Sequence, residues 1–96
     1  MKPSKLERLI ILMEECAEVQ QVISKIIRHG EHSFHPNSPD VTNKTLLENE
    51  LRDLISAIVL LDQENDINID RIENGVDEEY IKRKNKYLHF NSIKRI

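Results

Sequence analysis

The stretch from Leu9 to Ile27, LIILMEECAEVQQVISKII, decides how the chain folds. Placed on a helix at about 100° per residue, Ile11, Leu12, Val19, Val22 and Ile26 form one apolar sector. Leu9, Met13, Cys16, Ile23 and Ile27 widen it. The arc far exceeds the ~100° stripe of an ordinary surface helix. This helix should therefore be covered on most sides, by its own chain or by a second copy. Glu15 falls inside the apolar sector and Glu18 at its edge.

Outward from this stretch, the first helix is expected from Ser4 to His29. Ser4 with Glu7 three residues on has the form of a capping box, and Gly30 is a natural stop. A second helix is expected from Thr42 or Asn43 to Glu64, with Leu46, Leu47, Leu51, Leu54, Ile55, Ile58, Val59 and Leu61 in helical period. A third is expected from Asp70 to His89, weakened or broken near Gly75. Gly30 to Val41, with Pro36, Asn37, Ser38, Pro39 and Asp40, reads as a surface loop. The tail from Asn91 to Ile96 is expected to be flexible unless it docks on a partner.

Composition agrees with long helices. The 96 residues include only 2 glycines and 3 prolines. They make one small all-α domain, residues 1–96, for which help from oligomerisation is a fair expectation. With 14 basic and 17 acidic residues, the net charge of −3 gives no global footprint for nucleic acid. One cysteine excludes an internal disulfide framework and a Cys-rich zinc module. No apolar run is long enough to span a bilayer, and Glu14 and Glu15 interrupt the N-terminal one. A soluble, cytoplasmic protein is expected.

The second helix repeats the first. Shifted by 35 residues, Ile11, Glu15, Glu18, Val19 and Val22 overlay Leu46, Glu50, Asp53, Leu54 and Ala57. Each carboxylate pair shares one helix face, because positions three apart are neighbours. Buried carboxylates cost several kcal/mol in desolvation when unpaired, and four together would force some neutral near pH 7. A divalent cation removes both problems, and all-oxygen ligands select Mg²⁺ first and Mn²⁺ next. The plainer alternative is that Glu15, Glu18, Glu50 and Asp53 are solvated or paired with Lys25, Arg28 and Arg52. A di-iron bundle would want Glu-x-x-His motifs, which neither pair supplies.

Glu14-Glu15-Cys16-Ala17-Glu18 followed by Glu50-Leu51-Arg52-Asp53 resembles the paired ExxE and ExxD motifs of the MazG-like superfamily of all-α nucleoside triphosphate pyrophosphohydrolases. That superfamily includes dimeric dUTPases, dCTP pyrophosphatases and phosphoribosyl-ATP pyrophosphohydrolase. The resemblance spans Leu9 to Tyr87 and is nearest to the small single-domain members of phages and bacteria. It implies a helical bundle that assembles as a dimer or tetramer. It also implies Mg²⁺-dependent cleavage of a nucleoside triphosphate to the monophosphate and pyrophosphate. By the same resemblance Glu15, Glu18, Glu50 and Asp53 would hold the metal, and Glu14 would orient a water or act as base. Two departures stand out. The 31 residues between Glu18 and Glu50 make a longer gap than the family often shows. Asn49 and Arg52 also stand where many relatives carry small or acidic residues.

Phosphoanhydride chemistry needs cations against the phosphates. Lys25 and Arg28 follow Glu18 along the first helix and can serve. In the basic run Lys82 to Tyr87, Lys84 and Asn85 are the candidates, against the alternative of a solvated face. Substrates considered are a nucleoside triphosphate, an alarmone or phosphoribosyl-ATP. The rival from another class is a non-catalytic helical dimer that binds nucleotide or protein. No membrane and no nucleic acid partner is expected. His29, His32 and His35 recur every three residues but straddle Gly30 with no accompanying cysteine, so zinc is the weaker reading. Cys16 is expected in the core. Phe34 either stacks on a base or pins its loop to the bundle.

Overall fold

The computed structural model describes residues 1–90 and is helical, with α1 at Pro3–His29, α2 at Asn43–Gln63, α3 at Ile69–Asn74 and α4 at Glu78–Asn85. The expected flexibility of residues 91–96 lies outside the described range. The 27 residues of α1 rise about 40 Å. The expected Ser4–Glu7 capping box does not form. Pro3 takes the first helical position, where its fixed φ is ready-made and its missing N–H costs nothing, and this draws Ser4 into the first turn behind Lys2. At the other end Gly30 stops the helix at φ 90°, and its N–H donates to the Ile26 carbonyl at 2.7 Å.

The chain then turns back, so that α1 and α2 form an antiparallel hairpin. The connecting loop is tied to the start of α2. Asn43 N–H donates to the Ser33 carbonyl and Lys44 N–H to the Glu31 carbonyl, each at 2.8 Å. Thr45 N–H donates to the Thr42 hydroxyl at 3.3 Å, so Thr42 is the cap. The buried Asn43 side chain donates to the Gly30 carbonyl at 3.1 Å, and Phe34 pairs with Thr42 in an isolated antiparallel bridge. The free N–H groups at this helix end are thus used within the chain.

At its far end α2 closes in a Schellman arrangement. Asn65 adopts φ 60°, Asp66 N–H donates to the Leu61 carbonyl at 2.8 Å, and Asn65 N–H donates to the Asp62 carbonyl at 3.0 Å. Asp66 is thereby aimed at α1, where Arg8 grips it through Nε at 2.6 Å and Nη2 at 3.1 Å. The helix expected from Asp70 to His89 is broken near Gly75, the weak point its sequence marks, into two. Asn68 caps α3 and Asp77 caps α4, each accepting from an N–H three residues on, and the helical run is broken between them after Gly75, which itself keeps near-helical φ and ψ. Helix α4 ends at Asn85, short of the expected His89. Helix α3 packs against α2, whereas α4 packs extensively on neither long helix.

The apolar core is thin. Val22, Ala57 and Leu61 are its buried members, and Leu61 is fully enclosed. Cys16, expected in the core, is exposed, because α2 covers only one side of the wide apolar arc. Leu6, Met13, Ile23, Ile27, Leu51 and Ile55 also remain open, with Ile27 at 79% exposure. No helix among the described residues is long and apolar enough to cross a membrane.

Candidate metal centre

The carboxylates come together because both helices carry them in one frame and the hairpin sets those frames opposite each other. Glu15, Glu50 and Asp53 each bring one oxygen within 4.8 Å of the others. Glu18, exposed like Asp53, lies outside this tight triad, but it acts on the carboxyls of both Glu15 and Glu50. The four motif carboxylates therefore cluster, three of them closely and Glu18 against two of the three. Glu14 is exposed beside Glu15, and its charge acts on it.

The electrostatics are those of uncompensated negative charge. Burial pushes the Glu15 carboxyl above its ordinary range, and Glu18, Asp53 and Glu14 push it further. Glu50 is raised first by a hydrogen-bonding contact with Glu18, then by burial and by the charges of Glu18, Asp53 and Glu15. No cation figures among the groups that shift either residue. The ion-paired alternative is not what forms. Among the described residues Lys25, Arg28 and Arg52 make no salt bridge. Arg52 donates instead to Asn49 Oδ1 at 2.6 Å, and Arg28 to the Ser24 carbonyl at 3.3 Å.

Although Glu15 and Glu50 are only half-buried as residues, Oε2 of each is shut off from solvent with no hydrogen-bond partner. Buried carboxylate oxygens without donors are rare, since desolvation is unrepaid. An all-oxygen set with two such orphans fits a hard divalent cation better than it fits zinc or iron. Among the described residues the histidines join no such grouping.

The cations divide. Lys25 and Arg28 line a cleft with His29, Ser33, Phe34, His35, Asn43 and Leu46. Lys25 follows Glu18 by about 10 Å of helix rise. Lys84 and Asn85 lie on α4, which packs extensively on neither long helix; Asn85 is nonetheless half-buried, with its Oδ1 closed to solvent and without a hydrogen-bond partner. Lys84 borders a shallow apolar surface with Val76, Tyr80 and Ile81. The sequence reading missed Asn43 as the residue that anchors the loop and so shapes the cleft. Its polar side chain at the head of an apolar helix was the available signal.

Comparison of the chain with known protein families, curated protein sequences and solved structures finds no match.

Proposed function

We propose that the chain is a Mg²⁺-dependent nucleotide pyrophosphohydrolase, cleaving a nucleoside triphosphate to the monophosphate and pyrophosphate, with Mn²⁺ able to substitute. The observation that carries this reading is the convergence of Glu15, Glu50 and Asp53 from two helices, with orphaned oxygens on Glu15 and Glu50. These three, with Glu18, would hold the ion. Bound there, magnesium would neutralise phosphate charge and make a water more acidic. In the net reaction the water oxygen bonds to the α-phosphorus as the α–β bridging P–O bond breaks, and the electron pair leaves with pyrophosphate. Glu14 is the candidate to take the proton of that water. Lys25 and Arg28, which pair with no carboxylate among the described residues, would orient the phosphates. The MazG-like resemblance supports the same assignment.

The working unit we propose is a homo-oligomer, a dimer at least. The chain exposes 8137 Å², whereas a compact monomer of this mass exposes about 5,700 Å². The excess is on the scale of the area that an obligate interface buries. The uncovered side of α1 is patterned for it. Leu6, Leu9, Met13, Cys16, Ile23 and Ile27 fall at alternating three- and four-residue spacings, with Gln20 filling the remaining position. In projection this seam and the exposed Leu51 and Ile55 lie on one side of the hairpin, and Glu18 and Asp53 on the other. A second copy seated on the seam leaves the carboxylates accessible.

Pyrophosphate release from a panel of ribo-, deoxy- and modified triphosphates with Mg²⁺ or Mn²⁺ tests the reading. Glu50→Gln should lower release about 100-fold or more, since even outer-shell changes at metal sites cost 10–100-fold. If no triphosphate is cleaved by folded, metal-loaded protein, but an alarmone or phosphoribosyl-ATP is, the chemistry stands and the substrate changes. If nothing is cleaved, the chain is a non-catalytic helical dimer.

A further inference from the structure

The cleft at the C-terminal end of α1 has a composition of its own. It encloses about 230 Å³, lined by one lysine, one arginine, two histidines, one aromatic ring and few other groups. That is smaller than the pockets that swallow whole drug-sized ligands, and it suits one phosphoryl group with part of what carries it. No carboxylate lines it. Lys25 and Arg28 make no ion pair among the described residues.

The cleft is also built in advance of any ligand. Its floor is the buried Asn43, locked to the Gly30 carbonyl at 3.1 Å, and its wall is the loop that the Phe34–Thr42 bridge fastens to α2. His35 Nδ1 accepts from Asn37 N–H at 3.1 Å. This leaves the proton of the neutral ring on Nε2, so His35 can donate without being charged. Phe34 is exposed at 52% while its backbone is tied down, the arrangement of a surface that receives a flat group.

We propose that Lys25, Arg28, His29 and His35 form a phosphoryl-binding cleft that works without a metal, with Phe34 as the platform for what the phosphoryl group is attached to. Lys25 and His29 project to the same side of the hairpin as Glu18. The cleft therefore deepens the pyrophosphohydrolase reading by supplying a second anchor about 10 Å of helix rise from the carboxylates. The phosphoryl group can be the far end of the triphosphate chain, a phosphate borne elsewhere on the sugar, or released pyrophosphate. Charge-assisted hydrogen bonds to phosphate are the strong kind, and arginine offers two in parallel.

The test is calorimetric titration of the whole chain in excess EDTA, so that no metal contributes. Inorganic pyrophosphate is expected to bind, and the Lys25→Ala/Arg28→Ala variant to bind about tenfold more weakly or worse. Glu50→Gln should leave pyrophosphate affinity intact or tighten it. Both substituted cations are exposed, so circular dichroism should show an unchanged fold. Titrations with a nucleoside triphosphate and with a nucleoside 3′,5′-bisphosphate identify the source. The one whose affinity falls in the double variant is the one that reaches the cleft, and loss for pyrophosphate alone marks a product site. Phe34→Ala should weaken the nucleotides and spare pyrophosphate. No pyrophosphate binding at millimolar concentration, or equal binding by the double variant, overturns the proposal. Because no metal or turnover is involved, an inactive protein that still binds pyrophosphate through Lys25 and Arg28 refutes the hydrolase reading and leaves the cleft standing.

Discussion

Asn65 is the residue on which the junction of α2 with the rest of the chain turns. Its φ of 60° lies in the left-handed region, which asparagine tolerates and β-branched residues do not. The turn it makes points Asp66 at Arg8, and the resulting two-pronged ion pair staples the end of α2 to the start of α1. Asn65→Gly should hold the stability of the native chain. Asn65→Val should lose about 1–2 kcal/mol, the usual left-handed penalty for an L-residue, read by urea denaturation. The pair also sets an acid limit. Arg8 holds the Asp66 carboxyl below its ordinary range, so the pair stabilises the fold above about pH 4 and the benefit fades as pH falls through the lowered value.

The two long helices meet at the opposite electrostatic extreme. Glu15 and Glu50 are raised, so between the ordinary carboxylate range and their raised values the folded chain holds more protons than the unfolded one. Stability of the metal-free protein should therefore fall as pH rises through that window. Thermal melts in EDTA from about pH 4.5 to 7 should show this decline, and Mg²⁺ should flatten it. A flat profile in EDTA would contradict the charge crowding. Much of this element scale was legible in the residues. The repeated carboxylate frame of the two helices predicted that Glu15, Glu50 and Asp53 would meet, because helical period and a hairpin are enough to align them. The start of α1 was misread because Pro3 outcompetes a capping box that would otherwise suit Ser4. The split of the third helix was only half legible. Gly75 flagged a weak point, but the break needs Asp77 to prefer capping a new helix over continuing an old one. The placement of Lys84 and Asn85 was not legible at all, since it depends on where a short, weakly packed helix docks.

At the scale of the whole molecule, the chain is a slab about 42 × 39 × 18 Å with a core too thin for its surface. Its radius of gyration of 16.5 Å exceeds the ~12.5 Å of a compact domain of this length. The wide apolar arc of α1 announced this imbalance, and Cys16 was placed in the core because that arc does not say which chain covers it. Cys16 sits midway between Leu6 and Ile27 on the uncovered seam, so two copies paired there in either direction bring their Cys16 side chains together. Mild oxidation should then yield a covalent dimer, and Met13→Lys should shift the native mass by light scattering toward the monomer. A monomer at all concentrations would remove the oligomer from the account. The metal centre itself is tested most directly by a melt at fixed protein concentration with and without Mg²⁺. The account predicts that Mg²⁺ at ten times its dissociation constant raises the native Tm by about 6 °C or more, and that Glu50→Gln, folded and melting cooperatively, loses the shift. A native Tm indifferent to Mg²⁺ and Mn²⁺, or an equal rise in Glu50→Gln, would contradict it.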